Sequence, residues 1–334
     1  MKKLRFGIVG TGRIGKLHVE NITYYLDNAE VVALADIYIE YAEEWAGKFG
    51  ITALYKDYQD LINDENVDAV IVASSTDTHA EISIAAAKAG KDVFCEKPVD
   101  MNVDRVKEVM QVVEEAGVKF QVGFNRRFDR NFKQVQEIVE SGQIGDPHII
   151  RISSRDPAPP PVEYIERSGG LFKDMMIHDF DMARYLSGSE PVEISAKGAC
   201  LVDKAIGEAG DIDTAVVTIK MENGALVVID NSRQAIYGYD QRVEVFGSKG
   251  MADAQNERNS TVQVHTEDGT QLDKIPYFFL DRYTGAFIDQ FRAFVDAVLK
   301  DKPTPVDAFA GLQSLVMAEA AQESFETNKP VSLK

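Results

Sequence analysis

The chain opens on a short apolar run, Leu4 to Val9, then a glycine turn, then a stretch from Arg13 to Leu26 in which apolar residues recur every three or four positions. That change of period predicts a strand, a tight turn and an amphipathic helix. The alternation continues to residue 124. Strands are predicted at Val31–Ala35, Val67–Ala73, Val93–Cys95 and Phe120–Phe124, and helices at Tyr38–Phe49, Asp57–Ile62, Thr78–Ala89 and Val103–Ala116. Val67–Ala73 is almost continuously apolar, as a strand covered on both faces must be. An α/β fold built on a doubly wound parallel sheet is the result.

Past Phe124 the texture changes. A helix is predicted at Asn131–Ser141 and a strand at His148–Ser153, after which Asp156-Pro157-Ala158-Pro159-Pro160-Pro161 is too rich in proline for either and predicts an extended loop. Five β-type segments come next, Val192–Ala199, Thr214–Met221, Ala225–Asn231, Arg242–Phe246 and Thr261–Thr266, with Asn223-Gly224 reading as a two-residue hairpin turn. This second region is expected to be an α+β domain with an open, mainly antiparallel sheet. Two long helices, Phe278–Leu299 and Ala308–Glu326, close the chain around Pro303-Thr304-Pro305. The boundaries expected are 1–124 for the first domain and 125–334 for the second.

Composition narrows the picture. The 334 residues suit two domains at roughly 150 each, and 45% hydrophobic with 27% charged residues is a globular balance. No window approaches the ~18 consecutive apolar residues of a membrane span. The start Met1-Lys2-Lys3-Leu4-Arg5 imitates a signal peptide, but the apolar run after it ends at Val9, so the chain is expected to stay in the cytoplasm. Cys95 and Cys200 cannot build a disulfide framework, which also fits a reducing compartment. A net charge of −18 repels phosphate backbones and anionic lipid, so neither nucleic acid nor membrane is an expected partner.

Gly10-Thr11-Gly12-Arg13-Ile14-Gly15 stands directly after one predicted strand and opens one predicted helix. There the first glycine allows the turn, the second lets the backbone approach a pyrophosphate, and the third lets helix and strand pack closely. A glycine turn without a ligand would need no acidic partner, yet Asp36 ends the second strand 21 positions after Gly15, where a carboxylate can bind both ribose hydroxyls. Ile37, Tyr38 and Ile39 offer no cation for a 2′-phosphate, so the expected cofactor is NAD rather than NADP. Ser74, Ser75 and Thr76, at another strand end, fall where such sheets bind ligands. His79 in the next helix is grouped with them on the cofactor side, as are Glu96 and Lys97 of Cys95-Glu96-Lys97-Pro98.

A third element, Gly169-Gly170-Leu171-Phe172-Lys173-Asp174-Met175-Met176-Ile177-His178-Asp179-Phe180-Asp181, places Asp174 and His178 four residues apart. On one helix the carboxylate could hold the imidazole and raise its basicity. A solvated helix face is the bland alternative. Zinc on Asp174, His178 and Asp181 is another, but no cysteine or second histidine lies near, so no metal is expected. The other histidines fit structural roles, His18 within a helix and His148 and His265 in strands.

Gly10-x-Gly12-x-x-Gly15, Glu96-Lys97-Pro98 and Gly169-Gly170-x-x-x-Asp174-x-x-x-His178 together resemble the glucose-fructose oxidoreductase/inositol dehydrogenase/MocA family across nearly the whole chain. Residues 123–129, 154–161 and 175–184 look like its inositol 2-dehydrogenase branch. The resemblance implies an N-terminal Rossmann domain, a C-terminal sheet domain, a small polyol substrate between them, and a homodimer or homotetramer formed through that sheet. It implies Lys97, Asp174 and His178 as the catalytic set, which also binds substrate, with Arg127, Asp156, Tyr237 and Tyr283 on the substrate side. The expected reaction is oxidation of a cyclitol secondary alcohol, myo-inositol to its 2-keto product, with His178 as base, Asp174 orienting it and Lys97 stabilising the alkoxide-like oxygen. Scyllo-inositol or a pyranose sugar as substrate, and a non-catalytic NAD-binding regulator, are the alternatives.

Overall fold

The computed structural model describes residues 3–333, so Met1 and Lys2 of the signal-like start lie outside the described residues. The chain forms two compact units, residues 1–125 with 285–315 and residues 126–284 with 316–334. The crossing expected after residue 124 is therefore the first of three, because the chain returns to the first unit and leaves it again within its last long helix.

In the first unit β1 (Leu4–Val9), β2 (Ala29–Ala35), β3 (Ala53–Tyr55), β4 (Ala69–Val72), β5 (Asp92–Cys95) and β6 (Phe120–Val122) form one sheet in the order β3-β2-β1-β4-β5-β6. All its pairings are parallel. β3 was not legible in the sequence, being three residues long and only partly buried. Strand order reverses between β1 and β4, and the carboxyl ends of those two strands are where a doubly wound sheet binds its ligand. The predicted helix Phe278–Leu299 is broken at Tyr283 into Phe279–Arg282 and Thr284–Leu299. The second piece explains the return of the chain. It supplies Phe291 and Phe294 to a core with Phe6, Ile8, Ile71 and Phe94, and the Phe94 and Phe291 rings lie 4.5 Å apart.

In the second unit β7 (Pro147–Arg155), β8 (Pro191–Ala199), β9 (Thr214–Met221), β10 (Leu226–Ser232), β11 (Asp240–Gly247) and β12 (Gly250–Ala254) form a sheet with a C-terminal strand, Val331–Ser332, at its far edge. The order is β12-β11-β7-β10-β9-β8 and then that edge strand. Every pairing is antiparallel except β7 with β10. Alternation sends Ile150, Ile152, Val227, Ile229, Val217 and Ile219 into the core, while Val216, Thr218 and Lys220 face outward. Helix Ile177–Ser187 covers the inner face, burying Ile177, Phe180 and Met182. Two local expectations are corrected. The turn at Asn223-Gly224 has three residues, since Met221 N–H donates to the Ala225 carbonyl at 2.9 Å and Gly224 takes φ +90°. The segment Thr261–Thr266 is in no large sheet. Only Gln263–Thr266 is extended, and it pairs with Gly269–Leu272 in an exposed hairpin.

Candidate active site

In the first unit Gly10 comes after β1 with φ +97° and donates its N–H to the Ala35 carbonyl at 2.8 Å. A Cβ there would strike the Ala73 backbone and the Ser74 nitrogen, and one on Gly15 would strike the Gly10 carbonyl. Both glycines are thus fixed by close approach. Gly12 meets nothing within 4 Å, and the helix Arg13–Tyr25 that it precedes has no side-chain cap. A cradle of this shape, at a helix start whose amides are not taken up by a capping side chain, fits a pyrophosphate.

Asp36 leaves the end of β2 and its carboxylate accepts the Thr11 N–H at 2.7 Å, the Thr11 hydroxyl at 3.0 Å and the Tyr38 N–H at 2.9 Å. It therefore ties the glycine loop to the β2 turn. Ile37 and Tyr38 beside it are exposed, with no cation among them. Past β4 the Ser74 and Thr78 hydroxyls share a hydrogen bond of 2.7 Å, and the Thr78 hydroxyl donates to the Ser75 carbonyl. Thr76 begins the short 3-10 turn between them. His79 is buried, with Nδ1 2.8 Å from the Pro98 carbonyl and Nε2 3.1 Å from that of Ser74. It joins the loop after β4 to the loop after β5. Glu96 points inward to His18, whose Nε2 lies 2.7 Å from Oε1, and the His18 ring is packed by Phe94, Phe287 and Phe291. Lys97 is next, half-buried, its peptide to Pro98 cis.

In the second unit the four-residue spacing of Asp174 and His178 is not one helical face. Asp174 ends a helix, Gly170–Asp174, and His178 lies in the first turn of the next, Ile177–Ser187. The break lies at Met175–Met176, where the Leu171 carbonyl accepts both N–H groups and ends the first helix; Gly169 and Gly170, both with positive φ, set where that helix begins. Asp174 Oδ1 accepts the Tyr164 hydroxyl at 2.9 Å and Oδ2 faces Arg233 Nη1 at 3.3 Å. Tyr164 lies in a helix, Val162–Ser168, just after the proline run, and Arg233 just after β10.

Asp156 lies at the end of β7, its N–H bonded to the Ser232 carbonyl at 2.9 Å. Burial pushes its carboxyl up to about 6; Arg233 opposes the rise and Asp174 adds to it. Arg127 holds Asp181 with two hydrogen bonds, 2.8 and 2.6 Å, and its guanidinium lies over the Tyr185 ring. Its neighbour Arg126 is buried on Asp179 at 2.5 Å and Ser154 at 3.0 Å, with Asn231 on the other oxygen of Asp179. Tyr283 lies beneath Arg126, buried, its hydroxyl donating to Gln241 at 3.2 Å and pushed up to about 12 by burial. Tyr237 is half-exposed, its hydroxyl donating to Asp240 at 2.6 Å and accepting from Arg155 at 3.1 Å.

The structure thus gathers Asp174 and Asp156 about Arg233, and it sets Arg127, Tyr237 and Tyr283 on other partners. Tyr164, Arg126, Arg233 and His18 were missed. Arg126 and Arg233 are distant in sequence from the residues they touch, Tyr164 lies on a short helix that the sequence did not announce, and His18 carries no signal beyond its place on a helix. Among the described residues no cluster of three or more His, Cys, Asp or Glu is arranged to hold a metal, and no helix is long and apolar enough to cross a membrane.

Residues 4–124 match the oxidoreductase family with an NAD-binding Rossmann fold, and residues 132–253 match the GFO/IDH/MocA C-terminal domain. The chain is 49% identical to the myo-inositol 2-dehydrogenase of Thermotoga maritima over 99% of both chains, and 49% identical to an uncharacterized oxidoreductase of Bacillus subtilis over 100% of this chain and 97% of that one. The crystal structure of scyllo-inositol dehydrogenase from Lactobacillus casei with bound NAD(H) and scyllo-inositol superposes with a TM-score of 0.93 at 32% identity, covering 99% of each chain. This chain belongs to the GFO/IDH/MocA family of oxidoreductases, with an NAD-binding Rossmann domain at its N-terminus.

Proposed function

We propose that the protein oxidises a ring secondary alcohol of a cyclitol with NAD⁺, converting myo-inositol to its 2-keto product, as a cytoplasmic enzyme of inositol catabolism. The observation that carries the substrate is the full-length 49% identity to a myo-inositol 2-dehydrogenase. The chemistry fits. The glycine cradle, Asp36 and the loops after β4 and β5 hold the cofactor, which supplies the hydride acceptor when bound. His178 takes the hydroxyl proton, since an imidazole titrating near ~6.5 suits a base working at neutrality. Asp174, itself fixed by Tyr164 and Arg233, orients the base, and the Lys97 ammonium stabilises the alkoxide-like oxygen. A polyol offers only hydroxyls, so recognition by hydrogen bonds must reject isomers in which one is inverted. Scyllo-inositol is the second reading, supported by the structural likeness to the Lactobacillus casei enzyme.

The open face of the seven-stranded sheet is the proposed oligomer interface. Met251, Phe246, Ile149 and Leu226 stand in successive register across β12, β11, β7 and β10 and form an apolar row there. NADH formation measured with myo-inositol, scyllo-inositol, D-chiro-inositol, glucose and xylose tests the substrate. Highest kcat/KM for myo-inositol is expected, and turnover of none of the cyclitols would overturn the proposal. His178→Ala should lower kcat by about 10²–10⁴ and leave NAD binding nearly intact. Lys97→Met should be comparably damaging; near-normal kcat in His178→Ala would assign the base elsewhere.

A further inference from the structure

Among the described residues Arg233 is the largest fully buried side chain, with 1% of its surface exposed, and no capping or sheet role requires an arginine there. Its backbone is already anchored, the N–H donating to the Asp213 carbonyl at 2.8 Å. Its guanidinium stays charged in any protein interior and so must be neutralised where it lies. Three carboxyls surround it. Asp174 is 3.3 Å from Nη1, Asp211 is 3.7 Å from Nη2, and Asp156 feels its charge. Asp211 in turn accepts the Leu171 N–H at 3.0 Å, at the start of the short helix that Asp174 ends. One guanidinium therefore ties down both ends of that five-residue helix, which is too short to hold itself.

Resting on the polyol dehydrogenase reading above, we propose that Arg233 is a positioning residue of the reaction: with Asp211 as its second anchor it fixes the Asp174 carboxylate and sets the charge felt by the base, His178. It touches Asp174, not the substrate. The charged and titratable groups about it are Asp174 and Asp211 on either side, Asp156 at the end of β7 and Tyr164 on the helix after the proline run. Beyond Asp156, Arg126 and Asp179 form a second buried pair. Removing the cation leaves an unopposed negative cluster, which stabilises imidazolium at His178. Removing the Asp211 charge does the reverse.

The test tracks the His178 imidazole by NMR in the full-length, NAD-loaded protein labelled with ¹³C-histidine, its signal assigned with His178→Asn. Arg233→Met should raise the pH of its titration by about 0.5 to 1, Asp211→Asn should lower it, and Arg233→Lys should leave it near the wild type. In turnover, Arg233→Met should lose about 10- to 100-fold in kcat with little change in NAD affinity, its acidic limb moving to higher pH, while Arg233→Lys restores the limb. A titration unmoved in both Arg233→Met and Asp211→Asn overturns the proposal, leaving Arg233 as packing alone. Should Arg233→Met not fold, the fall in Asp211→Asn and the constancy in Arg233→Lys decide it. Opposite shifts in a protein that oxidises no polyol would uphold Arg233 and defeat the substrate reading instead.

Discussion

At the scale of single residues, the carboxylate proposed to select NAD over NADP also holds the glycine loop in place. Asp36 receives three hydrogen bonds, two of them from Thr11 inside the glycine loop. The double change Asp36→Ala with Ile37→Arg should move the ratio of kcat/KM toward NADP, because it removes a repelling carboxylate and adds a phosphate partner. NAD affinity should fall as well, since Thr11 loses its acceptor. A wild type that prefers NADP would defeat this reading at once. Asp156 gives a second residue-level outcome. Burial holds its carboxyl at about 6 in the folded chain, above the ~4 of an unfolded one, so the folded state binds the proton more tightly. That preference stabilises the fold fully below about pH 4 and is lost as pH rises through about 6. Asp156→Asn does not titrate, so its stability relative to wild type should improve from about pH 4 to about pH 7 by on the order of 2 kcal/mol. Melting temperatures at the two ends of that range measure it, and a constant difference would show that Asp156 is not held up. Asp36 was legible in the sequence because it ends a predicted strand, whereas Asp156, in a stretch that reads as an extended loop, was named only by the family resemblance. Their partners were not legible: Arg233 stands just past a strand 77 positions after Asp156, and no local pattern announces the pairing.

At the scale of elements, periodicity located the parallel sheet and its helices, since both faces of those strands are buried and the change between periods of two and 3.6 is sharp. It failed where backbone conformation decides. Asp174 and His178 read as neighbours on one helix by spacing, yet the turn at Met175–Met176 puts them on two, Gly170–Asp174 and Ile177–Ser187. The division places Asp174 opposite Tyr164 and Arg233, contacts that the continuous-helix reading did not include. Gly170 is the vulnerable point. A Cβ there would enter left-handed space and meet the Asp211 carboxylate at 2.8 Å, the same group that caps Leu171. Gly170→Ala should therefore cost about 1–2 kcal/mol, seen as a lowered melting temperature, and reduce turnover more than NAD binding. An unchanged melting temperature would mean the short helix tolerates a different entry. The hairpin at Gly224, whose φ is also positive but whose Cβ would meet nothing, is the control, with only the conformational cost.

At the scale of the whole molecule, the chain order of the two units is what a linear reading could not supply. Apolar periodicity marks Phe278–Leu299 as a helix but does not say which sheet it serves, and its longer piece, Thr284–Leu299, serves the first. Phe291 and Phe294 sit against Phe6 and Phe94, and the Gln121 side chain donates to the Gln290 carbonyl at 3.0 Å. Val122 N–H donates to the Val306 carbonyl at 2.9 Å, and Gly311 lies close against Val99 and Val122. A fragment cut at residue 124 therefore leaves the Phe6 and Phe94 rings uncovered where Phe291 and Phe294 packed, an apolar exposure of large side chains at roughly 1.5–3 kcal/mol each. That fragment should be aggregated or molten and bind NAD weakly. Joining residues 1–125 to 285–315 through a flexible glycine-serine linker should restore a cooperative thermal transition and NAD binding close to that of the whole chain, with no turnover, because Asp174 and His178 are absent. Calorimetry and NAD titration of the two pieces side by side decide the matter. Equal folding and equal NAD affinity would show that the returning helix contributes nothing the first 125 residues lack.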